Sequence, residues 1–138
     1  MPSNPFSHVD QRVGDLARGV EFYGAFIPQL GFSHYEGGQD FRSWTVPAGS
    51  GPSRPWFGIT EAPGHAGCVN RIAFWVDSRE EVDRLARVVA EAGAREVSGP
   101  KLMSAYGPTY YAVFFDDPWG NPLEILHWTS RDPAPPAV

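Results

Sequence analysis

One order of local signals occurs twice along this chain: a short strand, an acid or hydroxyl at a helix start, an amphipathic helix, and a glycine that closes it. Such a duplication limits the fold tightly, because each copy must bury its apolar face with the same few elements. His8-Val9-Asp10-Gln11-Arg12-Val13 opens the first copy and Arg71-Ile72-Ala73-Phe74-Trp75-Val76 the second. Asp15 and Asp77-Ser78 then stand where an N-cap accepts a backbone amide. In the first helix Leu16, Val20, Tyr23 and Ile27 keep the spacing of one buried face. In the second Val82, Leu85, Val88 and Val89 do the same, with Glu80, Glu81, Arg84 and Arg87 on the wet side. Pro28 shortens or kinks the first helix, and Leu30-Gly31 and Ala92-Gly93 supply C-caps.

Strand-like runs follow each helix. They are 32–35, 41–46 and 56–60 in the first copy, then 95–97, 110–115 and 123–128 in the second. Gly37-Gly38, the loop from Pro47 to Pro55 with its Gly49-Ser50-Gly51, and Asp117-Pro118-Trp119-Gly120-Asn121 separate them. Each copy therefore reads βαβββ, and the fold class is α+β. The expected boundaries are an N-terminal arm over 1–5, one domain over 6–128 with modules at about 6–62 and 67–128, and a flexible Pro/Ala tail over 129–138. A module of this size buries little surface alone, so the two are expected to pack as one domain.

Composition excludes several classes. With 42% hydrophobic and 20% charged residues in 138, a packed core is available. Glycine and proline together exceed a fifth of the chain, which disfavours a helix bundle. No run approaches the roughly 20 apolar residues of a membrane helix, and Met1 to Asp10 lacks the pattern of a secretory signal. The single Cys68 precludes an internal disulfide and suits a reducing cytoplasm. A net charge of −5 disfavours general nucleic-acid binding, so neither nucleic acid nor membrane is expected as a partner.

Several stretches resemble the vicinal oxygen chelate superfamily of glyoxalases, bleomycin resistance proteins and extradiol dioxygenases. They are His8 through Leu16, Phe22-Tyr23, Leu30-Gly31-Phe32, Arg71-Ile72-Ala73-Phe74 and Asp116 through Glu124. The resemblance spans residues 6 to 128, and its Asp-Pro-x-Gly-Asn-x-x-Glu ending is the most specific part. It implies a glyoxalase-like fold in which two βαβββ modules form a curved mixed sheet around a cavity. It also implies a homodimer as the usual assembly.

The resemblance further implies four inward ligands, one on the first and last strand of each module, holding a divalent metal such as Zn, Ni, Mn or Fe. His8 and Glu124 match two of these positions. Arg71 stands where the second module should open with histidine, and a guanidinium cannot ligate a metal. Gly58 stands near the remaining position, with Glu61 three residues on and His65, His34 and His127 as further candidates. Two of four ligands make a poor metal centre. Arg71 and Glu124 are expected to pair in the metal's place, leaving a fixed cation for a ligand oxygen.

Dioxygenase chemistry is disfavoured by the missing second histidine, and by Phe114 where family dioxygenases carry tyrosine. The candidate catalytic residues are thus His8, Glu124 and Arg71. Asp10, Arg12, Trp44, Gly58, Trp75, Tyr111 and Trp128 are the candidate pocket lining, with Tyr106 and Tyr110 as further possible donors. The expected function is binding, or metal-free transformation, of a small aromatic or oxygen-rich molecule by a resistance-type or secondary-metabolism protein. The alternative is a glyoxalase-like metal-dependent lyase or isomerase using His8 and Glu124. An interaction module with no open cavity is a third reading.

Overall fold

The computed structural model describes residues 5–49 and 54–129. Most of the expected N-terminal arm, Ser50-Gly51 and the tail beyond Thr129 lie outside the described residues. The chain divides between Gly67 and Cys68 into two units.

The first unit runs β1 (His8–Val13), α1 (Leu16–Phe26), a 3-10 turn (Ile27–Leu30), β2 (His34–Gly37), β3 (Phe41–Thr45) and β4 (Trp56–Glu61). The second runs β5 (Ile72–Trp75), α2 (Arg79–Ala92), β6 (Arg95–Leu102), β7 (Tyr111–Asp116) and β8 (Pro122–His127). Each unit forms its own four-stranded mixed sheet, ordered β1-β4-β3-β2 and β5-β8-β7-β6. In each, the opening strand pairs in parallel with the closing strand and the other pairs are antiparallel. The α+β class and the βαβββ order expected from the repeat are the ones observed, with the strands divided between two sheets.

Local chemistry sets the helix ends. Asp15 accepts from the Arg18 amide at 2.7 Å, and Glu61 at the end of β4 accepts from the Leu16 amide at 2.8 Å. Two carboxyl groups therefore satisfy orphan donors of the α1 N-terminus, which also favours negative charge. Glu61, once a candidate metal donor, is committed to this cap. In the second unit Ser78, not Asp77, is the N-cap, accepting from the Glu81 amide at 3.1 Å. Gly31 and Gly93 close the helical segments with φ of 100° and 110°. Pro28 falls in the first turn of the 3-10 segment, where its missing N–H leaves no bond unmade.

Each sheet turns one face to its helix. Phe22, Tyr23, Phe26 and Ile27 meet Val13, Phe57 and Ile59 in the first unit, all with at most 1% exposure. The periodicity named Tyr23 and Ile27 but passed over Phe22 and Phe26, while Val20 is only half-buried. Gly19 lets α1 come down on the sheet, since a Cβ there would lie 2.9 Å from Ile59 Cδ1. In the second unit Val82, Leu85 and Val89 of α2 cover Val113, Phe115, Leu123 and Ile125 of β7 and β8.

The largest departure from the sequence reading is β6, which continues past 97 to Leu102. Gly99-Pro100 reads as a strand breaker, yet β6 is an edge strand and a proline there costs no ladder bond. Irregular register between Arg95 and Ser98, and again between Ser98 and Lys101, absorbs the misfit.

The Asp117–Asn121 turn is held by one fully buried side chain. Asp117 Oδ1 accepts from the Trp119 and Asn121 amides, both at 2.9 Å, and Oδ2 accepts from the Asn121 side-chain amide at 2.6 Å. Gly120, at φ 89°, supplies the left-handed residue the turn requires. Removing the carboxyl would strand three donors in a buried turn. Asp117→Ala is expected to lower stability by about 2–4 kcal/mol, read as a shifted urea midpoint at unchanged slope.

Candidate functional site

In each sheet the face away from the helix carries the polar and aromatic residues singled out above. Cross-strand register defines these faces, because residues directly opposite in a ladder point to the same side.

In the first unit His8 is opposite Trp56, Asp10 opposite Gly58, and Arg12 opposite Thr60. The His8 ring stacks on Trp56 with centroids 4.0 Å apart and planes 3° from parallel. Ser7 Oγ lies 2.9 Å from His8 Nδ1, and Phe41 meets Trp56 edge-on at 5.7 Å. Gly58 lies beneath these rings: a Cβ there would sit 2.5 Å from Trp56 Cζ3 and 2.8 Å from Phe41 Cε2. A side chain at this position would have to displace one of these rings. Asp10 takes bonds from Thr60 Oγ1 and from Arg12, each at 2.9 Å. Trp44, expected in the pocket wall, is a correction. It pairs with Phe57 on the helix-facing side, is 3% exposed, and packs near Gly24 of α1.

In the second unit Ala73, Glu124, Phe114 and Ser98 form one cross-strand row on the uncovered face. Arg71, two residues before Ala73, places its guanidinium over the Phe114 ring, 4.9 Å from the centroid. Glu124 is only 5% exposed, and its carboxyl accepts a short hydrogen bond from Tyr110 Oη. The expected Arg71–Glu124 ion pair is therefore replaced by two contacts, a cation on an aromatic face and a phenol on a carboxyl.

Tyr111 requires a second correction. Neighbouring residues at the start of a strand face opposite ways, and Tyr111 turns toward α2, where its hydroxyl bonds Asp83 at 2.6 Å and Arg79 lies 5.2 Å over its ring. Tyr110 is the tyrosine that reaches Glu124. Its even-numbered parity with Ala112 and Phe114 was the signal available for choosing it. Tyr106 and Trp128 flank Tyr110 at 5.2 and 5.4 Å, and Trp128 stacks on Trp75 at 6.3 Å.

Beside this cluster lies a cavity of about 360 Å³. Arg71 and Lys101 bring positive charge to it, Glu96 and Asp116 bring negative charge, and Met103, Tyr106 and Phe114 give it apolar walls. Of the residues named from sequence, Arg71 and Tyr106 reach this cavity; Trp75, Tyr110, Tyr111, Glu124 and Trp128 are not among its lining. Ser98 and Lys101 were passed over because β6 was read as ending at 97, and Glu96 and Asp116 because no sequence signal aimed them at a cavity.

The donor set suits no metal. Among the described residues no three His, Cys, Asp or Glu side chains converge. His34 bonds Glu36 at 2.8 Å, and His127 bonds the Val76 carbonyl at 3.0 Å through Nδ1. Exposed Cys68 lies 3.4 Å from the Asn70 carbonyl. Arg71 supplies no lone pair, and Gly58 supplies no side chain.

Burial, then the hydrogen bond to Glu124, raise the Tyr110 phenol above its ordinary value near 10. The hydroxyl thus stays protonated and donating at neutral pH. Burial first, then the charge of Glu96, push Asp116 up as well. A raised acid retains its proton in the folded state while the unfolded chain releases it, so the Tyr110 contribution is intact below about pH 10 and falls away above. Tyr110→Phe is expected to flatten the alkaline loss of stability, measured as urea midpoints from pH 8 to 11.

Residues 6–125 match the family described as Glyoxalase/Bleomycin resistance protein/Dioxygenase superfamily. The uncharacterized protein YqjT of Bacillus subtilis is 28% identical over 128 residues, covering 86% of this chain and 95% of that protein. Among solved structures, a glyoxalase/bleomycin resistance protein from Albidiferax ferrireducens superposes with a TM-score of 0.73 at 23% identity, covering 91% of this chain and all of that one. The fosfomycin resistance protein FosX from Mesorhizobium loti gives 0.63 at 20% identity, covering 94% and 96%. FosX from Listeria monocytogenes, in complex with Mn(II) and sulfate, gives 0.62 at 22% identity, covering 94% of each chain. At these identities the structural likeness concerns the fold.

Proposed function

This chain belongs to the Glyoxalase/Bleomycin resistance protein/Dioxygenase superfamily, and on that premise we propose that it binds, or transforms without a divalent metal, a small aromatic or oxygen-rich organic anion. The proposed site is the uncovered face of the second unit. The observation that carries this reading is Arg71, whose guanidinium lies over Phe114 where the family resemblance asks for a histidine ligand.

Each residue has a role that follows from its chemistry. Arg71 remains protonated at any physiological pH and can hold a carboxylate, phenolate or enolate oxygen through two parallel N–H groups. Phe114 beneath it keeps the guanidinium flat and orients its edge. Tyr106 offers an aromatic wall to a planar ligand. Glu124, bonded to the Tyr110 hydroxyl and outside the cavity lining, fixes Tyr110 and has no assigned contact with the ligand in this reading. His8 and its stack with Trp56 belong to the first unit and have no assigned step in this reading.

Binding of aromatic carboxylates and their matched amides, followed by calorimetry, tests the proposal. The carboxylates are expected to bind more tightly than the amides. Arg71→Ala should remove that preference, a loss of roughly tenfold or more for a charge-assisted contact. Arg71→Ala with the preference intact would count against the site. Stoichiometric Mn²⁺ or Zn²⁺ retained through gel filtration, and lost in Glu124→Ala, would replace it with a metal-dependent lyase or isomerase.

A further inference from the structure

The cavity of the second unit is lined by four charged side chains, among them the exposed Glu96 and Lys101, and none of the four is joined to another in a direct ion pair. Among the described residues Arg71, Lys101, Glu96 and Asp116 take part in no ion pair. Arg71 lies over Phe114, and Lys101 Nζ donates to Ser98 Oγ at 2.8 Å. Arg95, the cation nearest in sequence to Glu96, directs its guanidinium to the Pro118 carbonyl at 2.8 Å instead. Two carboxyl groups thus share a cavity wall without a protein cation bound to either.

The backbone is irregular at this wall. Glu96 has a φ of 53°, the only positive φ among the described non-glycine residues, and it lies in the register shift between Arg95 and Ser98. A bulge re-aims a side chain that regular alternation would send elsewhere, and a left-handed non-glycine residue carries a conformational cost. Here the result is an acid at the cavity. Asp116, opposite Arg95 on β7, is the second acid. Its carboxyl is raised by burial first and then by the charges of Glu96 and Asp117, against the opposing charges of Arg95 and Arg71, and a bound cation would offset the two acidic charges.

We propose that Glu96 and Asp116 form a subsite for a protonated amine, so that the ligand held at Arg71 is a zwitterion carrying an ammonium group, an anionic oxygen and an apolar or aromatic body. The anionic oxygen meets Arg71 and Lys101, the ammonium meets the two acids, and the body rests on Met103, Tyr106 and Phe114. An amino-acid-like molecule has these three parts within the span of a 360 Å³ cavity. The inference deepens the second-unit reading above and rests on it.

The test uses the full-length protein and three probes sharing one ring: phenylalanine, N-acetylphenylalanine and phenethylamine. Phenylalanine carries both charges, and each of the others lacks one. Calorimetry or ligand-observed NMR is expected to show phenylalanine binding at least tenfold more tightly than either. The Glu96→Gln/Asp116→Asn double variant should reduce phenylalanine to the level of N-acetylphenylalanine, with N-acetylphenylalanine changed less than twofold. Equal binding of phenylalanine and N-acetylphenylalanine by the unmodified protein would overturn the amine subsite while leaving the Arg71 site standing. A preference that persists in the double variant would overturn it too. Failure of all three probes, together with failure of the aromatic carboxylates above, would remove both readings.

Discussion

Each four-stranded sheet in this protein has a single helix to bury it, and a single helix covers a single face. Because side chains alternate along a strand, that fact sorts every strand residue into a packed set and an uncovered set. The packed set is apolar and holds the fold: Val13, Phe57 and Ile59 under α1, and Val113, Phe115, Leu123 and Ile125 under α2. The other set is mixed: Ala112 and Leu126 are buried within it, and it is there that His8, Asp10, Arg12 and Glu124 stand. A one-residue slip in register would exchange the two sets, so the turns and caps that fix register also fix the chemistry. Asp117, buried and taking three hydrogen bonds, fixes the β7–β8 register and thereby places Phe114 beside Glu124.

The unsuitability for metal follows from particular replacements. At Gly58 the space for a ligand is filled by Trp56 and Phe41, and at Arg71 the ligand atom is replaced by a donor. A lone Glu124 in a nearly closed setting would need a partner, and Tyr110 provides one. A buried carboxyl left without any donor would be costly, so the phenol is a structural necessity as well as a candidate participant in chemistry.

A cavity with both signs of charge and few internal contacts between them has a definite physical character. Charges that pair with one another present a ligand with little net field, and their separation must be undone before binding. Charges without a direct partner of opposite sign keep more of their field for a ligand. Glu96 has a positive φ in the irregular part of β6, and Arg71 lies over Phe114, so neither makes a direct ion pair, although the charge of Arg71 is felt at Asp116.

The repeat, the caps at Asp15 and Ser78, the closing glycines and most strands were legible because they depend on neighbours a few residues apart. The absence of a side-chain ligand atom at Arg71 and Gly58 is a matter of residue type alone. Phe22 and Phe26 were missed because α1 is buried over a wider arc than one i, i+4 stripe. The full length of β6 was missed because tolerance of Gly99-Pro100 depends on lying at a sheet edge. The partners of Glu124 and Arg71 were set by register and rotamer across strands far apart in sequence. Sequence by itself determined two βαβββ units, because their elements depend on local spacing and caps. Only the tertiary structure decided that Tyr110 rather than Arg71 meets Glu124, and that Glu96 faces a cavity, because non-local pairing chooses which side chains become neighbours.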